Sequence, residues 1–267
     1  MTFWRWLFMV GALAGSAASG LAADAGPGLA TAWPTDRLLG GNAFLPPGLI
    51  RLQADSVNSP VSLWLDKGAA IWSDASGGSS CKSCHGPLST MAKAATRFPR
   101  LGPDGQTLIN LDDQILACRK RTGQTSQLED DDVLALSAVL HQAAKGELIN
   151  TQPPKDHEAA WQEHLGRGAQ LFATRIGRIN LACMHCHEQN IGKQMRSDVI
   201  SPANPTGFPI YRMSWQRLGS IDRRLRACFS GVQAVMPPPG DPALRDLELY
   251  LKVRANGMPL DGPSIRR

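Results

Sequence analysis

Several features are missing from this chain of 267 residues. After the first fourteen residues there is no apolar run long enough to cross a bilayer, which excludes a spanning helix further along. No long block of Lys or Arg occurs, and the formal net charge is only +5. Nothing here argues for nucleic-acid binding, and the mild excess of cations suits small anions or an acidic protein surface. No alternating apolar and polar pattern of any length appears, which argues against a sheet protein. Cysteine is scarce, at six residues, and four of those six are confined to two pentapeptides.

Those pentapeptides are Cys81-Lys82-Ser83-Cys84-His85 and Cys183-Met184-His185-Cys186-His187. With so few Cys and His, the chance expectation for such a motif is on the order of 0.003 copies. Cys-x-x-Cys-His is the attachment signal for c-type haem: two thiols bond the porphyrin and the histidine ligates iron. Zinc sites use two closely spaced ligand pairs, whereas these pairs lie about a hundred residues apart. A thioredoxin-type redox pair has no need of the histidine. The expectation is two covalently bound haem c groups, attached at Cys81 and Cys84 and at Cys183 and Cys186, with His85 and His187 as axial ligands.

The N-terminus reads as an export leader. Arg5 lies among Trp and Phe, an apolar run reaches Ala14, and small residues follow to Ala23. A cleaved signal peptide over residues 1–23, a periplasmic location and no stable membrane insertion are expected.

The remainder reads as a tandem duplication. Gly68-Ala69-Ala70-Ile71-Trp72 precedes the first haem motif, and Gly168-Ala169-Gln170-Leu171-Phe172 precedes the second. Phe98-Pro99 and Phe208-Pro209 follow them, and the two leftover cysteines, Cys118 and Cys228, each lie 20 residues after their Phe. The offset is 100 residues before the haem motifs, 102 at them and 110 after them. Two haem domains follow, 24–148 and 149–267, with the seam around Pro153-Pro154. Apolar residues at three- and four-residue steps predict helices over 64–72 and 159–172. Asp112-Asp113 predicts one helix start and Ser220 with Asp222 another, and the last helices are expected over 131–144 and 242–253. The expected fold is all-α: two cytochrome c-like domains with long loops rich in Pro and Gly.

The second axial ligand of each haem is the open question. Met236, within Met236-Pro237-Pro238-Pro239, has the context of a carrier's thioether ligand, but its counterpart in the first half is Ser126. The cysteines are shared, which favours Cys118 and Cys228, with burial as small hydrophobes the competing explanation. Cys228 ends the run Arg223-Arg224-Leu225-Arg226-Ala227-Cys228. On a helix Arg224 lies one turn before Cys228 on the same face. There it would favour thiolate and offer a planar fork to an oxyanion. Arg223 and Arg226 read equally well as solvated or as haem-propionate partners. Cys118 is followed by Arg119, Lys120 and Arg121, but Gln114 stands where Arg224 stands in the second half.

Two such motifs, a cysteine after each, Arg-Arg-x-x-x-Cys and the segment Trp215 to Ser220 together resemble the SoxA family. These are dihaem subunits of L-cysteine S-thiosulfotransferase in the bacterial Sox sulfur-oxidation system. The resemblance implies a heterodimer with the cytochrome subunit SoxX, and thiosulfate joined oxidatively to a cysteine of the carrier SoxYZ. Two electrons pass to an acceptor cytochrome c. It further implies Cys228, often a persulfide in the family, as the catalytic residue, Arg224 at the substrate, and His/Cys ligation at both haems. A dihaem thiosulfate dehydrogenase forming tetrathionate, and a plain electron carrier using Met236, stay open from the residues alone.

Overall fold

A computed structural model describes residues 38–76 and 78–267; the expected leader at 1–23 lies outside them. The described residues cluster as one compact unit. Among the described residues nine α-helices run in chain order as α1 Pro47–Ala54, α2 Ser62–Ser73, α3 Cys81–His85, α4 Leu111–Arg121, α5 Asp131–Ala143, α6 Glu158–Ala173, α7 Cys183–His187, α8 Ile221–Gly231 and α9 Pro242–Arg254. Short strands accompany them: β1 Arg100–Leu101, β2 Leu108–Ile109, β3 Gln194–Met195, β4 Asp198–Val199, β5 Ile210–Arg212, β6 Arg217–Gly219 and β7 Ser264–Arg266. The protein is mostly helical, as the periodicity predicts. The strands escaped a reading by alternation because each is only two or three residues long, too short to show a period.

Two helix crossings carry the framework: α2 on α5 and α6 on α9. Each has a glycine at the point of closest approach. A Cβ on Gly68 would lie 2.2 Å from the Ala135 carbonyl oxygen, and one on Gly168 would lie 2.1 Å from that of Asp246. A methyl group there meets rigid helix backbone, so the helices must separate. Gly168→Ala is therefore expected to destabilise the protein by about 1–3 kcal/mol or more, the usual cost of overpacking. A urea midpoint within error of the unsubstituted protein would contradict this.

Each of the two cores that flank these crossings takes side chains from both halves of the chain. Trp72, Ile115, Val133, Leu136 and Leu140 pack with Met258 and Leu260 from the far end of the chain. Trp161, Leu165, Phe172, Leu247 and Tyr250 pack with Leu101 and Leu108 from the hairpin of β1 and β2.

Helix α4 begins one step from the expected place. Asn110 is the cap: its side chain accepts from the Asp113 N–H, and the Asp113 carboxylate accepts from the Asn110 N–H. Asp112 is buried, and burial lifts its carboxyl to about 7. A buried carboxylate without a cation against it loses its hydration, so it would not serve as a cap. At α8 Ser220 is the cap, as expected, its hydroxyl oxygen accepting from the Arg223 N–H at 3.1 Å. Asp222 does different work. It accepts from the Arg245 guanidinium of α9 at 2.9 Å, and Arg245 reaches Asp113 of α4 with two further bonds at 2.7 and 2.9 Å.

A three-stranded sheet completes the frame of the site. Strand β6 pairs antiparallel to β5, and the C-terminal β7 pairs parallel to β5 on its other edge. The register sets Arg212 beside Arg266. No helix among the described residues is long and apolar enough to cross a membrane.

Candidate functional site

Both Cys-x-x-Cys-His motifs fold as single five-residue helices, α3 and α7. Three-residue spacing puts the two thiols of each motif on one face. Side chains at the third position cap the start: Ser83 exchanges hydrogen bonds with Ser80, and His185 Nδ1 accepts from the Ala182 N–H at 2.9 Å. The third residue of the second motif is thus spent on the turn. The last residue of each motif is the one left for ligation.

His187 is held by its other nitrogen. Nδ1 donates to the Ser201 carbonyl at 2.7 Å, which leaves Nε2 with the lone pair. Burial first, then the nearby Arg224 and Arg254 charges, lower its pKa, so the ring is held neutral. A neutral, oriented imidazole is what a metal ligand requires. In the first half, Trp72 donates to the Gly86 carbonyl at 3.1 Å and sets its ring 6.0 Å from that of His85.

The later cysteines come to the motifs in both halves. Burial, then the neighbouring Cys118, raises the pKa of the Cys81 thiol. Burial, then Cys228, pushes that of Cys183 up to about 12. Cys118 is an acceptor already: Arg121 donates to its sulfur at 3.1 Å and Gln114 at 3.5 Å. Arg119 turns away and is buried against Ser126 and Asp132. Met236 is half exposed, in the proline loop after α8, and is not among the residues that line the cavity described next.

In the second half the groups meet in a cavity of about 630 Å³. His187, Arg224 and Cys228 line it, with Phe208, Ile221, Leu225 and Leu251 as apolar wall. An imidazole nitrogen, a thiol, two further thiols close by and an apolar slot form a donor set that fits a covalently held haem.

The arginines of α8 divide by what holds them. Arg223 stacks on Trp215, 4.6 Å from the ring centroid, and lies 3.9 Å from the Glu129 carboxylate. Arg226 donates to the Pro237 carbonyl at 2.9 Å. Arg224 has neither hydrogen bond nor ion pair from its side chain among the described residues, and it faces the cavity with Cys228. Spacing alone had placed it there, but could not show that its neighbours are occupied. Sequence reading missed Arg212 and Arg266, which also line the cavity. No local signal marks them, because the pairing of β5 with β7 is what brings them in.

A model of the SoxA/TsdA cytochrome c domain matches residues 67–149. The L-cysteine S-thiosulfotransferase subunit SoxA of Pseudaminobacter salicylatoxidans is 30% identical over 239 residues, covering 88% of this chain and 82% of that protein. The protein of the same name from Rhodovulum sulfidophilum is 27% identical, with 94% of each chain covered. A crystal structure of SoxXA from P. pantotrophus superposes with a TM-score of 0.78 at 26% identity, covering 85% of this chain and 86% of that one.

Proposed function

The chain belongs to the SoxA family, and from that membership we propose that it is the thiosulfotransferase subunit that joins thiosulfate to a carrier cysteine. The single observation that carries this reading is Arg224 unpaired beside Cys228 in the cavity that also holds His187. A plain electron carrier needs an oriented imidazole and a second ligand. It has no use for an uncommitted guanidinium next to a thiol.

The overall reaction joins two sulfurs. A carrier thiolate and the thiosulfate dianion become a carrier S–S–SO3 monoanion, and two electrons leave for an acceptor cytochrome c. When bound, two covalent haems would supply one-electron acceptors, one held by Cys81, Cys84, His85 and Cys118, the other by Cys183, Cys186, His187 and Cys228.

The chain's own groups do the rest. Arg224 presents two parallel donors to the sulfonate end, which leaves the sulfane sulfur toward Cys228. The Cys228 thiolate, or its persulfide, forms the S–S bond with that sulfur as two electrons depart. The carrier thiolate then attacks the same sulfane sulfur, and Cys228 leaves as thiolate, or as persulfide where the persulfide formed the bond. Sulfur suits both parts because a thiolate is at once nucleophile and leaving group in such exchange. A SoxX-type cytochrome as heterodimer partner and SoxYZ as carrier belong to this proposal. So does a periplasmic location, supported by the leader-like residues 1–23 and by the compartment in which haem c is attached.

Two haem domains, 24–148 and 149–267, from one duplicated unit are also part of the reading. It is supported by the paired crossings with glycine at their centre, and by a cysteine brought to a haem motif in each half.

The test mixes the holoprotein and its cytochrome partner with thiosulfate, carrier and oxidised cytochrome c. Intact-mass analysis should show one S–SO3 adduct on the carrier for every two cytochromes reduced. Arg224→Gln should raise the KM for thiosulfate on the order of 10–100-fold, the worth of a charge-assisted hydrogen bond, with haem content unchanged. Tetrathionate formed without carrier, and no carrier adduct, would overturn the proposal in favour of a thiosulfate dehydrogenase.

A further inference from the structure

The charged residues lining the cavity are unbalanced. Arg212, Arg224, Arg266 and Arg267 face a single carboxylate, Asp198. Three of these cations come from different elements: Arg224 from α8, Arg212 from β5 and Arg266 from β7. The parallel register of β5 and β7 puts Arg212 and Arg266 on the same face of the sheet.

Their commitments differ. Arg266 is tied down, donating to Asn42 at 3.0 Å and to the Ile265 carbonyl at 2.7 Å. Arg212 is mostly buried, its side chain 18% exposed, and its partners stand at long range: Asp198 at 3.5 Å, the Ser214 hydroxyl at 3.4 Å and the Trp215 ring centroid at 5.6 Å. Burial first, then the Arg224 cation, destabilises its charge, whereas Asp198 and a charge on Cys228 support it. Arg212 is therefore within electrostatic reach of both Arg224 and Cys228. The guanidiniums repel one another across a half-buried wall, and that repulsion falls when an anion enters.

We propose that Arg212 is a second substrate guanidinium, which clamps the oxyanion opposite Arg224 and makes the site selective for doubly charged sulfur anions. This rests on the transferase reading of the same cavity and names what that site discriminates. Coulomb attraction scales with the charge of the ligand, so a second cation gains most with a dianion. One guanidinium binds a sulfonate bidentately; two around it read its charge as well as its shape. Asp198 sets the strength of the clamp by competing for Arg212.

Thiosulfate and methanethiosulfonate make the test. Both present a sulfane sulfur, but the second carries a methyl group in place of one charged oxygen and is a monoanion. Calorimetric titration of the holoprotein in complex with its partner, with the haems reduced so that no electron can leave, reads each affinity without carrier. Arg212→Gln should weaken thiosulfate about 10-fold or more and methanethiosulfonate no more than about 3-fold. Asp198→Asn should move the other way and tighten thiosulfate about 3-fold. A gain of this kind is not what structural damage produces. Haem absorbance should stay unchanged in both variants.

Unchanged thiosulfate affinity in Arg212→Gln would overturn the proposal, as would equal weakening of both anions. A shifted haem potential with unchanged selectivity would overturn it too, by making Arg212 a propionate partner. Failure of the transferase reading is separable, because carrier conjugation is assayed on the unsubstituted protein: no adduct there, with selectivity still lost in Arg212→Gln, refutes the transferase and not the clamp.

Discussion

Cys228→Ala is expected to abolish conjugation of thiosulfate to the carrier, lowering the rate by at least about 10³-fold, as removal of a covalent nucleophile does. Both haems of the proposed holoprotein should remain attached, because on that reading the covalent bonds run through Cys81, Cys84, Cys183 and Cys186 and none runs through Cys228. Haem staining of the denatured chain and intact mass check that point. The alanine variant alone confounds loss of a ligand with loss of a nucleophile. Cys228→Met separates them. A thioether supplies a sulfur ligand, but it neither exchanges with a disulfide nor leaves as a thiolate. Conjugation should stay absent in Cys228→Met, while low-temperature EPR shows thioether in place of thiolate ligation at the second haem. Carrier adduct formed at the unsubstituted rate by Cys228→Ala would end the mechanism. Recovery of activity by Cys228→Met would make the cysteine a ligand with no chemistry of its own.

The second large effect is on stability, at Arg245. Its side chain is 3% exposed and is shared between Asp113 of α4 and Asp222 of α8, which is 4% exposed. These hydrogen bonds and the carboxylates beyond them hold its pKa above the usual arginine value despite burial. The arginine thus ties the helix that bears Cys228 to the one that bears Cys118. Arg245→Met leaves the buried Asp222 without its cation, and breaking such a pair costs about 3–5 kcal/mol. Asp113 is partly exposed and returns to water more cheaply. The double variant Arg245→Met with Asp222→Asn should recover more than half of the loss. Asparagine removes the stranded charge but keeps an oxygen for the Gly240 N–H, which Asp222 now accepts at 3.1 Å. Urea unfolding followed by far-UV circular dichroism reads both. A loss below about 1 kcal/mol for Arg245→Met would show that the network contributes little.

Arg245 also shows where the sequence stops being legible. Asp113 and Asp222 both read as helix-start residues, and Asp113 is one, but their common partner is 132 residues from Asp113. Nothing in the local pattern of α9 marks Arg245 as buried. The same holds for Asp112, which reads as a cap and is instead buried while Asn110 takes that place. The helices themselves were legible, because a 3.6-residue period is written into a dozen neighbouring residues. Strands of two or three residues are not, since their existence depends on partners far along the chain.

The site divides in the same way. Within one short helix, spacing is geometry: Cys-x-x-Cys-His dictates which side chains share a face, and Arg224 four residues before Cys228 is one turn away whatever the rest of the chain does. The sequence by itself therefore determined the covalent haem c chemistry, the later cysteine that follows each haem motif, and the arginine one helical turn before Cys228. Only the tertiary structure decided which cations are free to act. Trp215 and Glu129 hold Arg223, the Pro237 carbonyl holds Arg226, and neither constraint touches Arg224. Only the tertiary structure brought in Arg212 and Arg266, through a parallel pairing between strands fifty-four residues apart. Local dihedral geometry repeats along a chain and can be read from it, whereas the return of a C-terminal strand to one edge of a sheet is settled by burial and hydrogen bonding across the whole molecule.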